Sequence, residues 1–461
     1  MTKLILLLQV LRYLFCADGA SMNALHAGAS MSMLQLRPRG FPCFVSGSQD
    51  RRRRRALSTT LATTHERNRQ REIKNVAIVG GGLAGLSTAW HLLELSSNPL
   101  QVTIYDRCMV GNGGASAVAG GLMHPFSPKG KLIHFGLEAL EKSKHLVQVA
   151  TKYQPSCLIQ PHLYRIALNE VNVQQLQDAA LKYSELAIWL SRGEINNQLG
   201  ADSMGGLKLS NGCQVIHVPG YLQALWEACE NEAKEINGSI TWEMSRLNDA
   251  TSVRLLDMNY DAVIYAAGAG IIQDNLLDDV ALPVQLIRGQ SLLMNLSEQI
   301  DSIQQNEALL CGKYVAPLPS VDNSSSSQMS PGKRQFIIGA THEFKSTKLT
   351  QNEVFEELKQ RSYQLAPKLW DHGVVQNVTS GMRMQSNRGK YGRMPIIGRI
   401  TNLKAGNSQT KSWVFAGLSS RGLIYHGLFG CWLAEAVLRD DEQVLSQYFE
   451  EFDWWKSNNK S

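Results

Sequence analysis

The chain has 461 residues, of which 44% are apolar and 19% are charged, a composition typical of a globular protein. The formal charge is +6, but residues 1–72 hold twelve basic and four acidic residues, an excess of +8 that leaves −2 for the rest. This near-neutral body excludes any argument for nucleic-acid binding from overall charge. No run of 18 apolar residues occurs, so we expect no membrane-spanning helix.

Residues 1–72 are rich in Arg, Ser, Ala and Thr and poor in acids, which is typical of an organellar transit peptide. We predict a disordered targeting presequence and import into a chloroplast or other plastid, with the mitochondrion as the alternative. The run LILLLQVLRYLF near the start resembles a secretory signal core, although Arg12 interrupts it. The run Arg51–Arg55 has a second interpretation as a nucleic-acid arm.

The first predicted elements form a β-α-β unit that starts near Lys74. The stretch NVAIVGGGLAGLSTAWHLLEL predicts a strand, a glycine turn and a helix, and QVTIYDR predicts a second strand. The segment GGASAVAGGLMHPF follows. LIHFGLEALEKSKHLVQVATKY has helical spacing, and QPHLYRIAL and GCQVIHVPG are typical of strands. We predict two more helices, over VNVQQLQDAALKYSELAIWL and GYLQALWEACENEAKEI.

The second half begins with a buried strand, Ala262 to Tyr265, that runs into the small-residue turn AAGAG. Strands are predicted at LPVQLIRGQSLLMNL, FIIGATHEF and WVFAGL, and helices at NEVFEELKQRSYQLAPKLW and GLFGCWLAEAVL. The stretch SVDNSSSSQMSPGKRQ is a low-complexity loop. Because strands that continue the β-α-β start lie far away in sequence, we expect a discontinuous nucleotide-binding domain interleaved with a sheet-rich one.

The glycines of the first turn match a dinucleotide-binding fingerprint. Gly80 allows the tight turn, Gly82 lets backbone N–H groups approach a pyrophosphate, and Gly85 lets the helix pack close to the sheet. The pyrophosphate then lies at the helix N-terminus. Asp106 ends the next strand, where a carboxylate accepts hydrogen bonds from ribose. The alternative is a glycine-rich turn that is only structural.

Two further small-residue clusters follow strands, Ala266–Gly268 and Gly417–Gly422, in addition to Gly113–Gly121. Bulky side chains would block a flat isoalloxazine ring that lies against bare backbone. Three such places fit an extended FAD better than NAD. The alternative is three unrelated tight turns.

The segments VAIVGGGLAGLSTAWHL, GASAVAGGLMHPF, YDAVIYAAGAG, PVQLIRGQ, FIIGAT, GMRM with MPIIG, and VFAGLSSRGL carry a family resemblance. The chain resembles the FAD-dependent oxidoreductases of the D-amino-acid oxidase, glycine oxidase and sarcosine oxidase superfamily over residues 75–440. GASAVAGGLMHPF and GLSSRGL are most similar to the FAD-dependent domain of the bifunctional bacterial tRNA 5-methylaminomethyl-2-thiouridine biosynthesis protein. The methyltransferase half of that protein is absent here.

The resemblance implies an α/β fold in which a Rossmann-like FAD-binding domain, residues 73–125, 215–275 and 380–450, is interleaved with an α+β substrate domain, residues 126–214 and 276–379. It implies non-covalent FAD, because Cys311 is expected to be a structural thiol. No metal-ligand spacing occurs. The implied cofactor contacts are Gly80, Gly82, Leu83, Ala84, Gly85, Asp106, Arg107, Ser116, Gly120, Gly121, Ala267, Gly268, Gly417, Gly422 and Leu423.

Two arginines are the implied catalytic-site residues. Arg383 in GMRM matches the position that holds the substrate carboxylate in amino-acid oxidases, where a guanidinium fork binds bidentately. Arg421 is the second candidate, toward a carboxylate, the flavin or an RNA phosphate. Where that family has a short acidic turn after the arginine, this chain has MQSNRGKYGRM, which leaves the substrate open.

We therefore expect oxidation of a C–N bond in an amine or N-substituted glycine-like group, with a small-molecule amine or the carboxymethylaminomethyl group of a tRNA wobble uridine as substrate. One alternative is a free amino-acid or sarcosine-like amine oxidase. Another is a structural or assembly factor that binds FAD without turnover. The histidines His124, His134 and His342 are expected to be core or rim residues, because hydride loss from a neutral amine needs no strong base.

Overall fold

The computed structural model describes residues 73–247, 256, 259–277, 280–297, 306–319, 333–344, 347–400 and 411–456. The predicted presequence, residues 1–72, and most of the SVDNSSSSQMSPGKRQ loop lie outside the described residues. Residues 66–461 form one unit by their contacts. The predicted domain boundaries stay a prediction. In the part of the chain that the structure describes, no helix is both long and apolar enough to cross a membrane.

The first sheet has six strands: β1 (Asn75–Val79), β2 (Gln101–Asp106), β9 (Ser239–Met244), β10 (Ala262–Tyr265), β16 (Ile396–Arg399) and β17 (Lys411–Ala416). Their order in the sheet is β16-β17-β10-β1-β2-β9. Five of the strands are parallel, and the edge strand β16 is antiparallel. Runs such as AVIY are buried on both faces, as a parallel sheet covered by helices requires. The Rossmann-like fold class is confirmed.

Four long helices pack against one another beside this sheet. They are α1 (Leu83–Leu95), α2 (Gly136–Ala150), α5 (Val218–Glu235) and α9 (Gly422–Leu438). Glycines permit the close approach of α9, since a Cβ at Gly427 would lie 2.9 Å from the backbone nitrogen of Ser143 in α2. At Gly430 a Cβ would lie 2.6 Å from the hydroxyl of Ser87 in α1. This packing holds α9 against α1 and α2.

The second sheet has eight strands in the order β15-β11-β14-β13-β12-β5-β7-β6. The strands are β5 (Leu163–Ile166), β6 (Ala187–Leu190), β7 (Gly206–Leu209), β11 (Val284–Ser297), β12 (Leu309–Leu310), β13 (Tyr314–Pro317), β14 (Lys333–Gly339) and β15 (Val374–Ser386). The antiparallel pair β11 and β15 runs along most of both strands and joins Ile287 to Arg383. The strand β15 continues across residue 380, where we predicted a domain boundary.

The smaller elements of the described residues are a third sheet, five helices and three 3₁₀ turns. The three-stranded sheet has β8 (Gln214–Ile216) between β3 (Leu122–Met123) and β4 (Leu158–Gln160). The helices are α3 (Glu170–Lys182), α4 (Arg192–Leu199), α6 (Gly270–Gln273), α7 (Gln351–Ser362) and α8 (Pro367–His372). The 3₁₀ turns are Pro155–Cys157, Tyr363–Leu365 and Glu442–Gln447.

The helix predicted over VNVQQLQDAALKYSELAIWL is wrong in its second half. The helix α3 ends at Lys182, a turn follows, and Ala187–Leu190 forms the edge strand β6. The apolar run AIWL is short, and it does not alternate with polar residues although Ile188 is 54% exposed. A short apolar run of this kind fits a helix or a strand equally well by periodicity.

Candidate active site

One cavity of about 850 Å³ lies where the two large sheets meet. The residues that follow the carboxyl ends of all five parallel strands line one part of it, and strands β5, β11, β13 and β15 of the second sheet line another. Ligands of open parallel sheets bind outside these carboxyl ends. The topology therefore places this cavity where a nucleotide site is expected.

The glycine turn after β1 is shaped by backbone contacts. Gly80 has φ +104°, and a Cβ there would collide with the backbone of Ala267, which follows β10. Gly82 is the extended N-cap of α1, and because it has no side chain it cannot cap the first N–H groups of the helix. A Cβ at Gly85 would collide with the carbonyl oxygen of Gly80. This glycine lets α1 approach the strand, as predicted, but Gly85 itself does not line the cavity.

The acidic side chain at the end of β2 is tied to the same turn. The backbone N–H of Gly81 donates to Asp106 Oδ2 at 2.8 Å, and the backbone N–H of Cys108 donates to Oδ1 at 2.9 Å. The backbone N–H of Leu83 donates to Ser116 Oγ at 3.2 Å. These bonds hold the carboxylate at the rim of the cavity, beside the N-terminus of α1.

The segment Gly113–Gly121 lines the cavity, but contacts within the protein explain its last two glycines. A Cβ at Gly120 would collide with the ring of Tyr314, and a Cβ at Gly121, which has φ +78°, would collide with the carbonyl of Ile216. Gly114 is different, because a Cβ there would have no neighbour within 4 Å. Close packing within the protein therefore requires Gly120 and Gly121, whether or not a flavin ring also lies against them.

Sixteen of the seventeen predicted site residues line this one cavity. They are Gly80, Gly82, Leu83, Ala84, Asp106, Arg107, Ser116, Gly120, Gly121, Ala267, Gly268, Arg383, Gly417, Arg421, Gly422 and Leu423. Leu83 and Ala84 open α1, and Arg421 is the N-cap of α9, where no acidic residue occupies the first turn. Two helix N-termini with their unsatisfied N–H groups thus face the cavity.

The charges that line the cavity are divided between its two ends. The two carboxylates of the lining are Asp106 and Asp274, and Asp274 lies 2.6 Å from Arg246 and 4.0 Å from Arg107. At the second sheet the lining has Arg165, Lys313, Arg361 and Arg383 instead. We call the first region the nucleotide end and the second the cationic end.

At the cationic end, Arg383 lies on β15, and its guanidinium makes few polar contacts with the protein. Its Nη2 donates to the carbonyl of Thr341 at 3.4 Å, and within the described residues no carboxylate lies within 4.0 Å of its guanidinium. Burial lowers the pKa of Arg383, against a smaller raising effect of Tyr314, and the group stays protonated. A guanidinium that is partly buried without an anion is prepared for an anionic ligand.

Lys313 and Tyr314 frame Arg383. Lys313 Nζ lies 3.0 Å from Glu357 and donates to the carbonyl of Ala340, so this cation is already paired. The hydroxyl of Tyr314 lies 3.2 Å from Ser291 Oγ. Burial raises the pKa of Tyr314, which stays neutral near pH 7. Of these three side chains, Arg383 therefore has donors left for a ligand.

A second pair of cavity-lining side chains with donors left for a ligand is Arg165 and His124. Arg165 Nη2 lies 3.4 Å from His124 Nε2, and the backbone N–H of Phe126 donates to Nδ1 of the same ring at 3.2 Å. Sequence analysis missed Arg165 and treated His124 as a core or rim residue. The available signal was one charged residue within the buried run LYRI, whose other side chains are apolar or aromatic. An alternation of buried and exposed residues could not show on which face of the sheet the Arg165 side chain lies, because all four residues are buried.

The remaining expected absences concern cysteines and metals. Among the described residues no cysteine lines the cavity, and Cys311 Sγ instead lies 3.8 Å from the carbonyl of Arg361. Within the same part of the chain, no three His, Cys, Asp or Glu side chains come together as a metal site. The position of Cys311 supports non-covalent cofactor binding.

Comparison with known proteins assigns the family. Residues 75–436 match the model described as "DAO: FAD dependent oxidoreductase". The chain belongs to this FAD-dependent oxidoreductase family. The predicted superfamily and the FAD cofactor are thereby confirmed, whereas a special closeness to the tRNA biosynthesis protein stays a prediction. Among curated proteins no match was found.

Solved structures of DAO-like fold agree with this assignment. Glycine oxidase from Geobacillus kaustophilus is 19% identical with a TM-score of 0.58, covering 81% of this chain and 96% of that one. Iminodiacetate oxidase from Chelativorans sp. BNC1 is 19% identical with a TM-score of 0.55, covering 79% and 95%. L-proline dehydrogenase from P. horikoshii is 13% identical with a TM-score of 0.59, covering 84% and 99%. At these identities the likeness shows the fold.

The DAO-family cofactor fits the cavity on the structure's own terms. Gly268 has φ +55° and open space where a Cβ would point, as does Gly114, so bare backbone faces the cavity at both places. The glycine turn, Asp106 and the N-terminus of α1 would hold the ADP half of FAD. The N-terminus of α9, which begins at Gly422, would face the flavin, where a positive dipole end favours negative charge.

Proposed function

We propose that this DAO-family protein oxidises an amine whose reacting carbon carries a carboxylate, as in an N-substituted glycine. The observation that carries the proposal is Arg383, a partly buried guanidinium in the cavity wall whose one hydrogen bond goes to a backbone carbonyl at 3.4 Å. A carboxylate would supply the two acceptors that this planar fork lacks.

The role of Arg383 in this proposal is orientation. A bidentate pair fixes both the position and the plane of the carboxylate, and so fixes the carbon attached to it. The sheet holds the arginine, because β15 pairs with β11. The arginine packs closely on that strand: a Cβ at Gly289 would lie 3.2 Å from Arg383 Nη2. A rigid sheet is a more accurate platform for such a contact than a loop.

FAD, when bound, supplies the acceptor for the hydride that leaves the carbon beside the substrate nitrogen. The protein's part is to keep that nitrogen neutral, with its lone pair free. Partial burial, and then the charges of Arg383 and Lys313, lower the pKa of His342 at the rim of the cavity. The same cationic surroundings would lower the pKa of a substrate ammonium, so no separate strong base is needed.

The names of the structural neighbours support this class of substrate. Glycine, iminodiacetate and L-proline, which appear in the names of three of them, are all amines that carry a carboxylate on the carbon next to nitrogen. The carboxymethylaminomethyl group of a tRNA uridine belongs to the same chemical class. That substrate, a free amino acid and import into a plastid or mitochondrion stay predictions. Turnover-free FAD binding is the competing proposal.

Anaerobic reduction of the bound flavin tests the proposal. The FAD-loaded protein is mixed with N-alkylglycines, free amino acids and modified tRNA, and with N-alkylmethylamines that lack only the carboxylate. We expect bleaching by at least one carboxylated amine and none by its decarboxylated partner. If FAD stays bound and oxidised with every amine, the proposal fails and the binding-factor alternative gains support.

A further inference from the structure

Arg165 is a buried cation without a counter-ion. It lies on β5 in the cavity wall, is 3% exposed, and its Nε has no hydrogen-bond partner. Within the described residues, no carboxylate lies within 4.0 Å of its guanidinium. Burial lowers its pKa to about 10, so it remains charged at neutral pH. Buried charges in folded proteins are paired as a rule, because an unpaired one is strongly destabilising.

The nearest polar group, His124, does not supply the missing acceptor. The backbone N–H of Phe126 donates to its Nδ1 at 3.2 Å, which assigns the single ring hydrogen of a neutral imidazole to Nε2. Burial, followed by the charges of Arg165 and Arg421, holds the pKa of His124 well below its usual range, so the ring is neutral. Its Nε2–H and the Arg165 Nη2–H therefore face each other at 3.4 Å as two donors.

The other neighbours of Arg165 are also uncharged. Burial raises the pKa of the Cys213 thiol to about 12, and burial likewise raises the pKa of Cys311. Both thiols are protonated at neutral pH and give no negative charge. The local charge is thus that of Arg165, reinforced by Arg421 at the N-terminus of α9. One anionic oxygen in the cavity would accept from both facing donors.

We propose that Arg165 and His124 form a subsite for a second carboxylate of the substrate, in the part of the cavity wall to which β5 contributes. The inference rests on the proposed function, in which Arg383 holds the first carboxylate. The substrate class then narrows from N-alkylglycines to N-(carboxyalkyl)glycines, secondary amines with an acid on each arm.

The two subsites use different residues. Arg383 shares its surroundings with Thr341, Tyr314 and Lys313, whereas Arg165 shares its own with His124 and Arg421. A substrate with one carboxylate would leave the second set of donors without an anionic acceptor, and an unsatisfied buried donor weakens binding. The two sets of donors in the cavity wall therefore discriminate between substrates with one carboxylate and substrates with two.

The test measures binding rather than turnover. Thioether analogues, in which sulfur replaces the amine nitrogen, cannot be oxidised to imines. We compare (carboxyalkylthio)acetates, with one to three methylene groups in the second arm, with (alkylthio)acetates of equal length, by calorimetric titration of the FAD-loaded protein. For the best arm length, we expect the dicarboxylate to bind at least tenfold more tightly, a difference of about 1.4 kcal/mol.

Arg165→Gln is the decisive variant, because it keeps a polar side chain but removes the charge. We expect the affinity ratio to fall to about one, with Arg165→Lys in between. His124→Asn is the second variant: its side-chain oxygen can still accept from the Phe126 N–H, while the Nε2–H donor is lost. The control is Arg388→Gln, an exposed arginine outside the cavity, which should keep the wild-type ratio.

Equal binding of both analogue series to the wild-type protein would overturn the second subsite. So would a tenfold preference that survives in Arg165→Gln or, should that variant not fold, in His124→Asn. The proposed function is judged separately by flavin reduction. A preference for the dicarboxylate in a protein whose flavin no amine reduces would support the subsite and contradict the oxidase.

Discussion

The nucleotide end and the cationic end of the cavity are built in different ways. At the nucleotide end, backbone decides the shape: a glycine turn, the N-terminus of α1, and an aspartate held by two backbone N–H groups. At the cationic end, long side chains from strands that are distant in sequence line one cavity, and the two strand cations, Arg165 and Arg383, have no acid beside them within the described residues. The first end suits a cofactor common to a family, and the second suits a substrate.

Removal of the Arg383 charge should give the largest effect. In Arg383→Leu, we expect kcat/KM for an N-alkylglycine to fall by about a thousandfold, because truncation of one partner of a buried charge pair costs roughly 2–5 kcal/mol. FAD content should be unchanged, since the residue lies at the other end of the cavity.

Arg388→Leu is the matched control, an exposed arginine five residues along the chain. It should leave steady-state kinetics at the wild-type level. If Arg383→Leu also kept wild-type kinetics, the cationic end would lose its assignment to the substrate.

At the nucleotide end, Gly80→Ala should destabilise the protein and its FAD complex together. The residue has φ +104°, and the added Cβ would collide with the backbone of Ala267, so a loss of at least about 3 kcal/mol in unfolding free energy is expected. Urea unfolding and the flavin absorbance of the purified variant measure both effects.

Gly114→Ala sharpens this prediction. Gly114 also has positive φ, +59°, but open space surrounds its Cβ position. Only the conformational strain then applies, about 1 kcal/mol. Equal losses in the two variants would show that backbone strain, rather than the close approach of β1 and β10, explains the glycine turn.

These two ends also differ in what sequence could predict. The fingerprint Gly80, Gly82 and Asp106 lies within one β-α-β unit, where short-range periodicity and turn chemistry determine the structure. Arg165 and Arg383 meet in the same cavity only because β5 and β15 lie in one sheet, with six strands from other parts of the chain. No local pattern encodes that pairing, so Arg383 was found through family resemblance and Arg165 was missed.

The edge of the second sheet shows the same limit. The apolar run of β6 was predicted as helix, because four residues with one free edge carry no periodicity that distinguishes the two. By contrast, the parallel strands AVIY and WVFA were predicted correctly, because each is followed directly by glycine and small residues, which are typical of the end of a buried strand.

A smaller effect concerns pH. His426 is fully buried in α9, its Nε2 lies 2.7 Å from the hydroxyl of Tyr221, and burial lowers its pKa to about 3. Because the folded pKa lies below the unfolded value of about 6.5, the unfolded state binds more protons between these values. Stability is fully present above about pH 6.5 and falls, by about 1.4 kcal/mol per pH unit from this group, as the pH drops toward 3.

Urea unfolding of the wild-type protein and of His426→Gln between pH 7 and pH 5 tests this. The variant should lose less stability per pH unit than the wild-type protein, although it is less stable at pH 7. Parallel curves for the two proteins would contradict the assignment of this proton uptake to His426.

The smallest expected effect is that of Cys311→Ser. The thiol does not line the cavity and contacts the carbonyl of Arg361 instead, so the variant should bind FAD as the wild-type protein does. Acid precipitation of either protein should release all of the flavin into the supernatant. Yellow colour retained in the wild-type pellet, and lost in the variant, would show a covalent link.

In the proposed oxidase, the cationic end binds the carboxylate of an amine substrate at Arg383. A crystal structure of the FAD-loaded protein with (methylthio)acetate, an inert analogue of N-methylglycine, would show this contact. Both carboxylate oxygens are expected within about 3 Å of the Arg383 guanidinium. A carboxylate bound elsewhere in the cavity, with Arg383 still on the carbonyl of Thr341, would contradict it.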